Sequence, residues 1–204
     1  MTHHRIGVLG GSFDPIHHGH LAAASEVAFR LDLDRVVFSP TGLAWLKPAP
    51  HAASAEHRYL MTVAATAAEP RFEVTRVDVD RAGPTYTVDT LHDLRAQFAH
   101  EHPDDTASWF FITGADALAN FRDWHEPDRI LTLAHLVGVS RPGHRLPIDV
   151  LPPRAVSIVA IPALDISSTD IRTRVSRGEP IRYLVPDSVV DFIAAHGLYA
   201  GSSS

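Results

Sequence analysis

The sequence predicts an α/β protein in which helices cover both faces of a doubly wound parallel sheet. Short apolar runs alternate with stretches in which apolar residues recur at helical spacing, and this alternation continues along the 204 residues. Strand–helix–strand units of this kind form parallel sheets with right-handed crossovers. Apolar residues make up 45% of the chain, enough for a substantial core. We therefore expect a single domain over 1–204, with 201–204 as a disordered tail.

Six short apolar runs predict the strands of this sheet. Each is bounded by turn residues or by a helical pattern, as expected for strands buried between helices. In chain order they are 5–9, 35–40, 72–79, 109–114, 135–140 and 156–161. Because ligands of such sheets bind where the carboxyl ends of strands meet, every loop that follows a strand is a candidate site.

The segments between and after these runs predict helices. In chain order we expect them over 19–31, 54–69, from about 85–87 to 98, and over 115–121, 128–134, 167–176 and 186–196. Ser54 is predicted to cap the second helix, and Gly197 stands just past the end of the last one, where glycine is favoured. The Pro-rich segment 140–154 is expected to be a long loop. The final helices predict a small C-terminal helical extension.

Composition excludes several classes of function. The formal net charge is −6 and the basic residues form no run, which disfavours a nucleic-acid partner. The chain has no cysteine, so disulfide frameworks and thiolate chemistry are excluded. No apolar run reaches membrane length and no signal peptide is recognised at the N-terminus, so we expect a cytoplasmic protein without a membrane partner. Assembly into a homo-oligomer is left open.

The stretch GVLGGSFDPIHHGHLAAASE predicts an anion-binding loop. Gly10 and Gly11 follow the first strand directly, and His17, Gly19 and His20 stand where the first helix begins. Helix starts carry free N–H groups and the positive end of the dipole, which favour phosphate. The two imidazoles, three positions apart, can face one point above the strand ends and stabilise the charge that develops during phosphoryl transfer. The loop is neither a G-x-G-x-x-G fingerprint nor a Walker A loop.

A metal site is the alternative for these histidines. Zinc sites need further ligands, and two histidines at i and i+3 without a His, Cys or acidic ligand pattern nearby do not provide them. We expect Asp14 to brace the loop through backbone hydrogen bonds and His18 to be solvated. The sequence therefore predicts no metal held by protein ligands.

A second anion site is predicted at ISSTDIR, residues 166–172. Ser167, Ser168 and Thr169 place hydroxyl and N–H groups at a helix start, and Arg172 lies one turn further on. Alone, this segment would be read as an ordinary N-cap followed by a surface arginine. Two such phosphate cradles after strands, about 150 residues apart, instead indicate one nucleotide site.

These motifs also carry a family resemblance. GGSFDPIHHGH resembles the HxGH signature of the nucleotidyltransferase superfamily, and ISSTDIR resembles its second motif. GPTYTVDTL, FFITGADAL, GVSRPG and YLVPDSVVDFIAAHGLY are similar to segments of bacterial nicotinate-mononucleotide adenylyltransferases, so the similarity covers nearly the whole chain. It implies a Rossmann-like nucleotidyltransferase fold and a reaction of ATP with nicotinate mononucleotide that gives nicotinate adenine dinucleotide and pyrophosphate. It also implies Mg²⁺, bound through the ATP phosphates.

The resemblance assigns site residues. His17, His20 and Arg172 are implied as catalytic. The residues implied for ATP are Gly10, Gly11, Ser12, Phe13, His17, His20, Gly114, Asp116, Arg141, Ser167, Ser168, Thr169 and Arg172. The residues implied for nicotinate mononucleotide are Lys47, Thr85, Tyr86, Thr87 and Trp124, with Trp124 stacking on the pyridine ring and the helix start at Thr85–Thr87 receiving the carboxylate.

One segment departs from the family pattern. Many members carry a Pro-Pro-His-Lys-like stretch after the second strand, whereas this chain reads PTGLAWLKPAPHAAS. Within this 41–53 loop we expect the part from Leu43 to Pro50 to move on substrate binding, with Lys47 as its phosphate contact. Three alternatives stay open: a pantetheine-phosphate adenylyltransferase, a cytidylyltransferase, and a catalytically inactive nucleotide-binding module.

Overall fold

A parallel sheet lies at the centre of the computed structural model, which describes residues 1–43, 53–140, 152, 154–162 and 164–201, with the backbone alone at 115 and 116. Within these ranges six strands pair in the order β3-β2-β1-β4-β5-β6, all parallel. The strands are β1 (His3–Gly11), β2 (Arg35–Pro40), β3 (Phe72–Val74), β4 (Thr106–Gly114), β5 (His135–Ser140) and β6 (Val156–Ala160). The strand order reverses between β1 and β4, which is where such sheets form a ligand crevice.

Helices connect the strands and cover both faces of the sheet. They are α1 (His18–Arg30), α2 (Ala55–Thr66), α3 (Thr87–Glu101), α4 (Ala115–Leu118), α5 (Pro127–Leu133), α6 (Ser168–Ser176) and α7 (Asp187–Ala195), with a 3-10 turn over Phe121–Asp123. Among the described helices, none is long and apolar enough to cross a bilayer.

The two faces of the sheet bury separate hydrophobic cores. Successive side chains of a strand point to opposite faces, so the neighbours Phe111 and Ile112 in β4 belong to different cores. Ile112 packs in the core that includes residues of α1, α2 and α7, whereas Phe111 packs in the core formed with α3 and α5. The predicted α/β fold with helices on both faces is confirmed.

Most predicted elements are confirmed, but the third strand is much shorter than predicted. It was expected over 72–79 and ends at Val74. The Thr75 N–H still donates to the Phe38 carbonyl, but the chain then turns, and the Asp80 N–H donates to the Arg76 carbonyl over 2.9 Å. The valines of this segment are only partly buried and its buried residue is Asp78, so the apolar pattern here belongs to a turn and not to a strand. β1, in contrast, is longer than predicted and includes both Gly10 and Gly11.

The C-terminal helical extension follows the last strand as predicted. α6 and α7 come after β6, and α7 ends where Gly197 was expected to close it. Gly197 has φ +58°, a left-handed conformation that glycine adopts without strain, and the Leu198 N–H donates to the Ile193 carbonyl over 3.0 Å. The chain thereby turns back towards the sheet, and Tyr199 is buried.

Candidate functional site

Two adjacent cavities lie at the carboxyl ends of the strands. The first, about 520 Å³, is lined by residues of β1, β4 and β5 and by the starts of α1 and α6. The second, about 350 Å³, is lined by residues of β1, β2 and β4, the start of α3, and the segment that contains Trp124. Gly10 and Thr113 line both cavities, so the two form a continuous cleft across the point where the strand order reverses.

The two histidines of the first loop stand together at the first cavity. His17 is the N-cap residue of α1 and is buried, and its ring stacks on the ring of His20 with centroids 3.7 Å apart. The buried Phe13 ring packs against the His20 ring in an edge-to-face arrangement, with ring centroids 5.1 Å apart. Gly19 is required between the two histidines, because a Cβ there would lie 2.9 Å from Nδ1 of His17. The spacing of the motif therefore follows from the packing of the two rings.

His20 is held as a neutral hydrogen-bond donor. Its Nδ1 accepts the backbone N–H of His17 over 3.3 Å, which leaves the proton of the neutral ring on Nε2. Burial, followed by the charge of His17, lowers the pKa of His20 to about 3. At neutral pH this ring offers one N–H to the cavity and carries no charge.

The second motif packs directly against the first. Ser167 caps α6 by accepting the Asp170 N–H, and the Ser168 hydroxyl donates to the Pro15 carbonyl over 2.9 Å. Arg172 donates to the Asp14 carbonyl over 2.7 Å. The loop after β1 and the start of α6 are thereby joined, although more than 150 residues separate them in the chain. Ser167 and Ser168 line the first cavity.

Arg172 is oriented by groups of the protein itself. Besides the Asp14 carbonyl it contacts the Thr169 hydroxyl over 3.3 Å, and its guanidinium lies 3.8 Å from the Asp14 carboxylate. The side chain is half-buried. A guanidinium has five N–H donors, so two protein contacts leave others for an anion.

Of the remaining residues predicted for ATP, only the glycines line the described cavities. Gly114 ends β4 and lines the first cavity, whereas Gly11 lines the second. Ser12 is exposed at the loop surface. Asp116 lies in α4, where only the backbone is described. Arg141 and Lys47 lie outside the described residues, as do positions 44–52 of the 41–53 loop and the tail from 202 onward.

The second cavity brings together the other predicted group. Thr85, Tyr86 and Thr87 line it at the start of α3, where Tyr86 is the N-cap residue. Trp124 forms another wall and is held edge-on by Phe111, with ring centroids 5.9 Å apart. A helix start and a supported indole therefore face the same space.

Sequence reasoning missed a buried carboxylate in this cavity. Asp78 is 2% exposed and accepts hydrogen bonds from the hydroxyls of Ser39, over 2.6 Å, and of Thr90, over 2.9 Å. Burial raises its pKa, against the opposing effect of these hydrogen bonds. Asp78 falls within the part of the third strand that was wrongly predicted, where an alternating VDVD pattern suggests solvent-facing acids.

Comparison with known proteins gives a consistent family. The model of the cytidylyltransferase-like family matches residues 8–174. A probable nicotinate-nucleotide adenylyltransferase of Leifsonia xyli is 61% identical over 96% of this chain and 94% of its own. One of Acidothermus cellulolyticus is 59% identical over 96% and 94%, and one of Streptomyces coelicolor is 57% identical over 95% and 100%.

A solved structure shares the fold at low sequence identity. Nicotinic acid mononucleotide adenylyltransferase of Plasmodium falciparum, complexed with NaAD, superposes with a TM-score of 0.74 at 19% identity, over 97% of this chain and 98% of that one.

Proposed function

The chain belongs to the cytidylyltransferase-like family, and on that basis we propose that it transfers the adenylyl group of ATP to nicotinate mononucleotide, giving nicotinate adenine dinucleotide and pyrophosphate. The names of its close relatives support this activity. The observation that carries the proposal is the paired cleft, in which one cavity is framed by two helix starts and two imidazoles and the other by a helix start and an indole.

The first cavity is proposed to hold ATP. Helix starts present backbone N–H groups and a positive dipole end, and two of them, from α1 and α6, border this space together with the imidazoles. His17 and His20 would donate to phosphate oxygens, and Arg172 with the Ser167 and Thr169 hydroxyls would contact the β- and γ-phosphates. Gly114 and Asp116 are proposed to contact the adenosine, and Arg141 to add a further contact.

The second cavity is proposed to hold nicotinate mononucleotide. Its pyridine ring would stack on Trp124, and its carboxylate would accept N–H groups at the start of α3, where Thr85, Tyr86 and Thr87 lie. Lys47 is proposed as a contact to its phosphate. Thr113 and Gly10 border both cavities, so the phosphate of the mononucleotide and the α-phosphate of ATP would meet above them.

Adenylyl transfer in this cleft needs no protein nucleophile. An oxygen of the mononucleotide phosphate attacks the α-phosphorus of ATP in line, the bond to the bridging oxygen of the β-phosphate breaks, and pyrophosphate leaves with that electron pair. The protein holds the two phosphates together and donates hydrogen bonds to the charge that develops on the α-phosphate oxygens. His20 is suited to this role, because its Nε2–H is a fixed neutral donor.

Nucleotidyltransferases of this kind generally use a divalent metal with ATP, and we propose Mg²⁺ here. Among the described residues, no three His, Cys, Asp or Glu side chains are grouped to hold a metal ion. The N–H and hydroxyl groups at the first cavity fit phosphate oxygens, which are themselves ligands for Mg²⁺. The ion would therefore arrive as MgATP and supply charge neutralisation of the triphosphate.

A panel of substrates tests the proposal. Pyrophosphate release is measured with ATP or CTP against nicotinate mononucleotide, nicotinamide mononucleotide and phosphopantetheine. We expect turnover with ATP and nicotinate mononucleotide. Turnover only with phosphopantetheine, or only with CTP, would favour the pantetheine-phosphate adenylyltransferase or the cytidylyltransferase. Binding of ATP without turnover on any acceptor would favour an inactive nucleotide-binding module. A cytoplasmic location and homo-oligomer formation stay predictions.

A further inference from the structure

A buried arginine lies behind the loop that carries the two histidines. Arg58, in α2, is 6% exposed and directs its guanidinium to three backbone carbonyls: Nε to Ala53 over 3.2 Å, one terminal nitrogen to Ser12 over 2.7 Å and the other to Gly42 over 2.8 Å. These carbonyls belong to two segments, the loop after β1 and the two ends of the 41–53 loop. Ser12 lies in the loop after β1, Gly42 follows β2, and Ala53 precedes α2.

A buried carboxylate in the same loop is tied to the C-terminal end of the described chain. Asp14 is 5% exposed, and its Oδ1 accepts the Tyr199 hydroxyl over 2.6 Å and the Ala53 N–H over 3.0 Å. The backbone carbonyl of Asp14 accepts a hydrogen bond from the Arg172 guanidinium. The prediction that Asp14 braces the loop through backbone hydrogen bonds is confirmed. The hydrogen bond from the Tyr199 hydroxyl was not predicted.

These contacts hold a loop that has little regular structure of its own. The loop runs from Ser12 to Ile16, between the end of β1 and the N-cap His17, and Phe13 within it has φ +48°. A non-glycine residue in the left-handed region is strained and persists only where its surroundings fix it. Arg58 and Tyr199 supply such constraints on either side of Phe13.

We propose that Tyr199 and Arg58 are positioning residues for adenylyl transfer, which act through Asp14 and Ser12 to fix the loop that carries His17. Neither side chain is among the residues that line the two described cavities, so neither is placed to contact a substrate bound there. Transfer between two phosphates is sensitive to misplacement of the groups that hold them. This inference rests on the proposed function.

Tyr199→Phe is the variant of choice, because it removes one hydroxyl and keeps the buried ring. Tyr183→Phe is the matched control, since Tyr183 is 83% exposed. We expect the kcat of Tyr199→Phe to fall about five- to tenfold per folded molecule, the size expected for loss of one ordinary hydrogen bond, with the KM for nicotinate mononucleotide within about twofold of wild type. Tyr183→Phe should match wild type in both constants.

The same substitution in a His17→Ala background separates positioning from a loss of stability. If Tyr199 acts by placing His17, removing its hydroxyl should have almost no further effect on kcat once the imidazole is gone. An equal fold-loss of kcat in both backgrounds would show that Tyr199 does not act through His17 and would overturn the inference.

Arg58→Lys and Arg58→Met form a second pair of variants. We expect Lys, which can still donate to a loop carbonyl, to retain more of kcat than Met does.

The outcomes distinguish this inference from the proposed function. A wild-type protein that releases no pyrophosphate from ATP and nicotinate mononucleotide would overturn the function and the inference together. An active wild type in which Tyr199→Phe and Tyr183→Phe have the same kcat per folded molecule would overturn the inference alone. The folded fraction of each variant is measured by circular dichroism and a thermal melt before the kinetics.

Discussion

His20 combines a fixed orientation with a suppressed charge. The backbone N–H of His17 occupies its Nδ1, the Phe13 ring meets its edge, and burial keeps the ring neutral. A donor fixed in this way needs no reorganisation when charge develops next to it, and this is the condition under which a single hydrogen bond contributes most to catalysis.

Replacing this ring tests its role. We expect His20→Ala to lower kcat about a hundredfold or more, as for removal of a transition-state donor, while the protein remains folded. His18→Ala is the control, because His18 is the neighbouring imidazole and lies outside the residues that line the described cavities. Steady-state pyrophosphate release gives kcat for both. A folded His20→Ala enzyme with turnover within twofold of wild type would remove His20 from the mechanism.

The low pKa of His20 also predicts a pH dependence of stability. In the unfolded chain this histidine takes up a proton below pH 6.5, whereas in the folded protein it stays neutral down to about pH 3. The unfolded state therefore binds more protons between these values, and the free energy of unfolding falls as the pH drops below 6.5. One group contributes a slope of at most about 1.4 kcal/mol per pH unit.

Urea unfolding at pH 7.0 and pH 5.0 measures that slope. We expect the free energy of unfolding of wild type to fall more steeply between the two pH values than that of His20→Asn, which has no titrating ring. Equal losses in the two proteins would show that His20 binds its proton equally in the folded and unfolded states.

At the scale of elements, three helix starts border the cleft. α1, α3 and α6 all begin there, and each begins within one of the quoted sequence motifs. The backbone at the start of α3 presents N–H donors and the positive end of the helix dipole. A carboxylate can accept from such donors, whereas a carboxamide would direct its own N–H₂ group at them.

This asymmetry predicts a preference for the acid substrate. We expect kcat/KM for nicotinate mononucleotide to exceed that for nicotinamide mononucleotide by about tenfold to a few hundredfold, because an unpaired buried polar group costs roughly 1–3 kcal/mol. Trp124→Ala should lower kcat/KM for both substrates and leave the ratio of the two values nearly unchanged, since an indole stacks on either ring. Comparable kcat/KM values for acid and amide in the wild-type enzyme would contradict the assignment of α3.

α6 offers a matched pair of arginines. Arg172 points at the loop after β1, whereas Arg174, two residues further on, forms a surface ion pair with Asp170. We expect Arg172→Ala to raise the KM for ATP more than the KM for the mononucleotide, and to lower kcat because a contact to the Asp14 carbonyl is lost. Arg174→Ala should leave kcat and the KM values for both substrates unchanged. A rise confined to the KM for the mononucleotide would show that the two substrates have been assigned to the wrong cavities.

At the scale of the whole molecule, the sheet brings distant segments of the chain to one cavity. The start of α1 and the start of α6 border the same cavity. We therefore expect ATP to slow amide exchange in both segments together, and to stabilise the fold by about 2.7 kcal/mol at a hundred times its Kd. Hydrogen exchange with and without ATP checks this. Protection confined to one of the two segments would mean that α1 and α6 do not bind the same molecule.

Much of this architecture could be predicted from the sequence. Hydrophobic periodicity located the strands and helices, and the glycines and helix-start residues located the two anion motifs. The third strand was overestimated because valines recur in this turn as they would in a strand, and the buried carboxylate of Asp78 was missed with it. The contact between Tyr199 and Asp14 joins residues 185 positions apart, and no local pattern encodes such a partner.

The continuity of the two cavities over Gly10 and Thr113 has a consequence for the end of the catalytic cycle. The dinucleotide product is a tethered pair of ligands, one for each cavity, joined by a linker of two phosphates. While one half remains bound, the other rebinds from a high effective concentration, so the product should be retained more tightly than either mononucleotide fragment. Nicotinate adenine dinucleotide should therefore inhibit the enzyme by competing with both substrates.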